Sequence, residues 1–165
     1  MTPEELAEAS ADVLARVIDI ETMLDVIISQ HYLGKVSRKF LYEVLYDEWF
    51  TFGLKVKIFS KITSETSLEH KLNQLASIRN YFAHRGRLTV DLGRGDELFV
   101  PDPKNPAKSI DFDDLYKKFS TLADALEPVL IEHFERAGGR ISENKRFVGQ
   151  KLIYARDYPR YPRAK

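Results

Sequence analysis

The chain of 165 residues contains no cysteine, which excludes disulfides, thiolate metal ligation and a cysteine nucleophile. No apolar run approaches the ~18 residues that a membrane-spanning helix requires. There is no Gly-rich loop of the kind that cradles phosphates, so nothing indicates a kinase or a nucleotidyltransferase. The four histidines, His31, His70, His84 and His133, stand far apart without a His-Glu-x-x-His pattern, so no metal and no cofactor are expected. No helix-turn-helix spacing stands out and the bases do not cluster on one expected helix, which tells against DNA binding. The first residues, Met1 to Glu5, lack the basic-then-apolar order of a signal peptide. The expectation is a soluble cytoplasmic protein without membrane contact.

The formal net charge is zero, but the sign is unevenly spread. Residues 140–165 carry eight bases and two acids, a local charge of +6 that the rest of the chain balances at −6. A basic tail on an acidic body suits an anionic partner; a solvated terminal segment fits the same composition. With 44% hydrophobic residues there is apolar material for one core. The domain is expected over 1–139, with 140–165 as a Tyr/Arg/Pro-containing tail.

Helical periodicity dominates that domain. Leu6, Val13, Val17, Ile20, Leu24 and Ile27 recur at helical spacing, predicting one long helix over 4–32 that starts near Pro3 and stops at Gly34. Glu21 falls on the apolar line of Leu14, Ile18 and Ile28, either wet at the stripe's edge or buried and paired with Arg79. Ser37 can cap a second helix running to about Phe50, with Phe40, Leu41, Val44 and Leu45 inward. After Gly53 a further helical piece carries Leu54, Val56, Ile58 and Phe59 among Lys55, Lys57 and Lys61. The nearby Trp49, Phe50 and Phe52 suit core or a dimer contact better than base stacking. Thr66-Ser67-Leu68-Glu69 has the form of a capping box, opening a helix whose inward stripe is Leu68, Leu72, Leu75, Ile78 and Phe82 and which Gly86 ends. An insert over about 87–110 reads as a small hairpin or loop, with Leu88–Val90 and Leu98–Val100 as strand-like runs around Gly93–Asp96. Asp111 then caps a long last helix, bent by Pro128 and ended by Gly138-Gly139. The fold class is all-α, a bundle of four to five helices.

At the end of the fourth helical segment stands Ser77-Ile78-Arg79-Asn80-Tyr81-Phe82-Ala83-His84-Arg85. Asn80 and His84, four apart, share a helix face; Arg79 lies about 140° round from His84 at about 100° per residue. A cation beside a group with pKa near ~6.5 is what RNA 2′-O-transphosphorylation needs. A helix-end His near Arg also complements the helix dipole without any chemistry.

The Arg-Asn-x3-His arrangement, closing an amphipathic helix with a long helix upstream, resembles the HEPN superfamily over roughly residues 4–136. The resemblance implies a metal-independent ribonuclease of toxin or phage-defence type in which Arg79, Asn80 and His84 are catalytic. It also implies a homodimer whose two motifs form one composite site, with RNA as substrate. Arg85, Arg87 and Tyr81 are the accompanying substrate-binding candidates; Tyr81, expected opposite the Leu72–Phe82 stripe, equally suits a partly exposed surface tyrosine. A second likeness covers about residues 52–85. Phe52-Gly-Leu-Lys-Val-Lys-Ile-Phe59 followed by Ile78–His84 is similar to the mannitol-operon repressor group, which implies a non-catalytic module acting through a protein partner. An antitoxin or regulatory protein is the partner implied on these readings.

Overall fold

Thirty-one residues from Pro3 to Leu33 form α1, the helix against which the long elements pack. Its start is fixed by a reciprocal cap: Thr2 Oγ1 accepts from the Glu5 N–H while the Glu5 carboxylate accepts from the Thr2 N–H. Its end is fixed by Gly34 at φ +66°, whose N–H bonds the Gln30 carbonyl. Only a residue without a Cβ takes that left-handed conformation at no steric cost.

The computed structural model describes residues 1–88, 101–102, 105–139, 146–148 and 151–153, with backbone alone at 3, 84–88, 101–102, 105–108 and the last two segments. After α1 come a short α2 (Arg38–Phe40) continuing as a wide turn over Leu41–Leu45, then α3 (Phe52–Thr63), α4 (Thr66–Leu88) and α5 (Phe112–Arg136). The architecture is an all-α bundle, and no described helix is long and apolar enough to cross a membrane. Val13, Ile20, Met23 and Leu24 of α1 meet Phe59 of α3, Leu72 and Leu75 of α4, and Phe119 and Leu126 of α5 in one core. Burying such side chains contributes roughly 1.5–3 kcal/mol each relative to exposure. The expected stripe of Leu68, Leu72, Leu75, Ile78 and Phe82 is buried along its whole length.

Four expectations need correction. The second helix does not reach Phe50: Ser37 caps α2, but the Tyr46 N–H bonds the Leu41 carbonyl five residues back and the helix gives way to turns at 46–50. Leu41 and Leu45 still point inward, in a small cluster with Ile28. Thr66 is not a cap but the first residue of α4; Ser64 takes the left-handed conformation at φ +60° and the Glu65 carbonyl receives the first helical bonds. Gly86 does not stop α4, which continues to Leu88. Consequently the expected strand at 88–90 loses Leu88 to the helix; 89–100, with the rest of the expected hairpin, lies outside the described residues. A short antiparallel pair does occur just after it, β1 (Pro101–Asp102) with β2 (Asn105–Ser109), where the prolines had suggested a plain extended connection.

Asp111 caps α5 as expected, its carboxylate accepting from the Asp114 N–H. The helix ends at Ala137, with Gly138 at φ +82°. Gly139 follows because a Cβ there would lie 2.5 Å from the Phe134 ring. Within the basic tail a second antiparallel pair, β3 (Arg146–Val148) with β4 (Lys151–Ile153), was not anticipated. The Arg-Phe-Val and Lys-Leu-Ile runs around Gly149-Gln150 carried the signal of a hairpin.

Candidate functional site

The sequence of α1 places Glu21 and Asp25 one turn apart on a face that turns toward α3. Two carboxylates at that spacing repel each other unless a cation bridges them. Lys55 of α3 supplies it: its Nζ lies 2.7 Å from Glu21 Oε1 and 3.0 Å from Asp25 Oδ1. Lys55 and Asp25 are each about 2% exposed as side chains, whereas Glu21 keeps 28% of its surface. The wide turn at Leu41–Leu45 delivers Tyr46 to this spot, its ring 5.7 Å from Lys55 Nζ.

Above the triad opens a pocket of about 570 Å³ between α1, the 45–52 turns, α3 and α4. Its charged lining is Glu21, Asp25, Asp47, Glu48, Lys55 and Arg79. Ile18, Phe50 and Phe52 provide apolar wall. Ile18, at 61% exposure, and the nearby Trp49, at 79%, give this side an apolar rim.

Arg79 reaches the pocket from α4 because it sits one residue beyond the buried Ile78, at the margin of the inward stripe. Its Nη1 donates to Asn80 Oδ1 at 3.2 Å, and its Nε is buried without a hydrogen-bond partner. Among the described residues Arg79 forms no ion pair, although Glu21 and Asp25 line the same pocket. The alternative in which Glu21 pairs with Arg79 is therefore replaced by the pairing with Lys55. A buried N–H left without a partner is costly, and it belongs to a side chain that lines a pocket.

Asn80 is exposed beside Arg79. The backbone of α4 runs without interruption through position 84, so Asn80 and His84 are separated by one helical turn. The side chains of His84, Arg85 and Arg87 lie outside the described residues. Tyr81 does not project away from the bundle: it is half-buried against the main core and lines a separate groove of about 570 Å³ between α4 and α5. Two residues after Arg79 is about 200° round the helix, so one side chain cannot share the other's pocket.

Lys55 is the residue that sequence reasoning missed. It reads as one of three surface bases of α3, yet it is buried. The available signal was the Glu21/Asp25 pair on an otherwise apolar stripe, which calls for a cation from another element.

No protein-family model, curated protein or solved structure matches the chain.

Proposed function

We propose that the chain is a metal-independent endoribonuclease of HEPN type, toxin-like or phage-defence-like, acting as a homodimer in which two copies of the Arg79–Asn80–His84 motif share one cleft. The observation that carries this reading is the state of Arg79. It lines an open pocket, is braced by Asn80, and has an unfilled buried N–H and no carboxylate partner among the described residues.

The chemistry follows from those groups. His84 as general base takes the proton of a ribose 2′-hydroxyl, and the oxygen attacks the adjacent phosphorus. Arg79 stabilises the charge that builds on the phosphoryl oxygens. The bond from phosphorus to the 5′-oxygen breaks, and that oxygen receives a proton from an acid, for which the second copy's His84 is suited. The products are a 2′,3′-cyclic phosphate and a 5′-hydroxyl. A single strand is the suitable substrate because the attacking oxygen must swing in line with the leaving one. The basic tail and its tyrosines suit phosphate contacts and base stacking.

A second reading, a non-catalytic module that binds a regulatory or antitoxin protein, is favoured by the rim of the pocket. Asp47 and Glu48 are exposed acids there, unsuited to a nucleic acid, and Trp49 offers apolar surface to a protein. The two readings separate on cleavage of a labelled unstructured RNA in EDTA. The nuclease reading expects cyclic-phosphate ends from wild type and a loss of about 10²–10⁴-fold in His84→Ala. No cleavage by the folded protein across several RNAs would reject it in favour of the binding module.

A further inference from the structure

We infer that Lys55 is a positioning residue of the Arg79 site: by holding Glu21 and Asp25 it keeps the Arg79 guanidinium available for the phosphate of a ligand. This rests on the reading of Arg79 as a phosphate-facing group.

The pocket sets a problem of charge allocation. Glu21, Asp25, Lys55 and Arg79 all line it, with the exposed Asp47 and Glu48 at its rim. A guanidinium beside a carboxylate forms a bidentate pair readily, and such a pair leaves little of the cation for an incoming anion. Two carboxylates within one pocket would capture Arg79 if they were unoccupied. They are occupied, because Lys55 Nζ stands between them at 2.7 Å and 3.0 Å. Lysine is well shaped for this position, since a compact charge on a long apolar stem passes through the core and ends between two acceptors. The stem is enclosed, with Lys55 only 2% exposed, so the ammonium cannot itself swing out to meet a ligand.

The outcome is a division of labour between the two cations. Lys55 engages both acids, and Arg79, whose one described side-chain bond is to the neutral Asn80 amide, has an Nε–H without a hydrogen-bond partner among the described residues. The chemical class of ligand that this arrangement accepts is a phosphate or phosphodiester presented at the pocket mouth.

The test follows the Arg79 Nε–H resonance of the ¹⁵N-labelled protein, assigned by its loss in Arg79→Lys, during titration with inorganic phosphate. Chloride at matched ionic strength is the control. Wild type is expected to show a saturable phosphate-specific shift. In Lys55→Met, Arg79 should turn to the freed carboxylates, weakening phosphate by about tenfold or more, the factor carried by one charge-assisted hydrogen bond. In the triple variant Glu21→Gln/Asp25→Asn/Lys55→Met the two acids that Lys55 holds are gone and only the rim acids Asp47 and Glu48 remain in the pocket, so affinity should return to within about twofold of wild type. The triple variant also keeps the test decisive if Lys55→Met does not fold, because removing all three charges together leaves no buried ion unpaired. Unchanged phosphate binding in Lys55→Met would overturn the inference, as would a triple variant that binds weakly, since Lys55 would then act on the anion directly. A wild-type resonance that ignores phosphate would instead reject the anion-facing role of Arg79, and with it the proposed site as well as this inference.

Discussion

Two faces of α1 each set a buried cation against two acids, and they differ in what surrounds the charges. On the α5 side, Arg16 of α1 bonds Glu127 through Nε at 2.6 Å and Asp124 through Nη2 at 2.7 Å. Burial alone would lower the Arg16 pKa, but the bonds to Glu127 and Asp124 outweigh it and hold it above the usual arginine value. Its guanidinium carbon also lies 5.8 Å from the Phe119 ring centre, while its buried Nη1 has no hydrogen-bond partner among the described residues. On the α3 side the acids belong to α1 and the cation to α3, and a second cation, Arg79, lines a pocket without an ion pair among the described residues. Arg16 lines neither described pocket. The contrast is between a packed seam and a pocket wall: in the first the guanidinium holds two carboxylates, in the second one guanidinium lines a pocket and has no ion pair among the described residues.

The comparison can be broken most forcefully at Lys55. Lys55→Met leaves the buried Asp25 carboxylate without its cation, and a loss of about 3–5 kcal/mol in urea unfolding is expected. Arg16→Met should cost less, about 1–2 kcal/mol by the same measurement, because Asp124 keeps 64% exposure and can return to water. Equal losses would mean that the two faces are not different in kind.

Tyr116 sharpens the α5 side. Its hydroxyl donates to Asp12 at 2.9 Å. Burial first, and then this bond to an anion, push its pKa above the ordinary tyrosine value. A raised folded pKa means that the stabilisation is complete below about pH 10 and is lost as pH rises through the folded value. Tyr116→Phe is therefore expected to cost about 1 kcal/mol at neutral pH, with the gap to wild type closing in alkali. Parallel unfolding curves across that range check it. At the small end, Trp49→Ala should shift stability by no more than about 0.5 kcal/mol, since the ring is 79% exposed.

How far the sequence could be read differs between the same regions. The long helices α1, α4 and α5 follow from apolar spacing, because a stripe such as Leu68, Leu72, Leu75, Ile78 and Phe82 has one way to be buried. Gly34 and Asp111 act where their local chemistry says they should. The end of α2 was not legible: whether Leu41–Leu45 winds with four- or five-residue bonds depends on how it packs on Ile28, not on its own residues. Gly86 misled for a related reason, since glycine permits a helix to end without requiring it. At the pocket, helix spacing set Asn80 on the face of His84, whereas the described bond of its side-chain oxygen is to Arg79. Lys55 was not legible, because its role arises only when α1 and α3 are brought together, and a lysine among apolar residues reads first as solvated.

The most direct test of the distinction sets the two arginines side by side in RNA cleavage, measured per folded molecule in EDTA. Arg79→Ala is expected to lose about 10²–10³-fold, the scale of removing a group that stabilises developing charge, with little loss of stability. Arg16→Ala is expected to lose stability while its folded fraction cleaves like wild type. Cleavage that survives Arg79→Ala, or falls equally in both, would contradict the account.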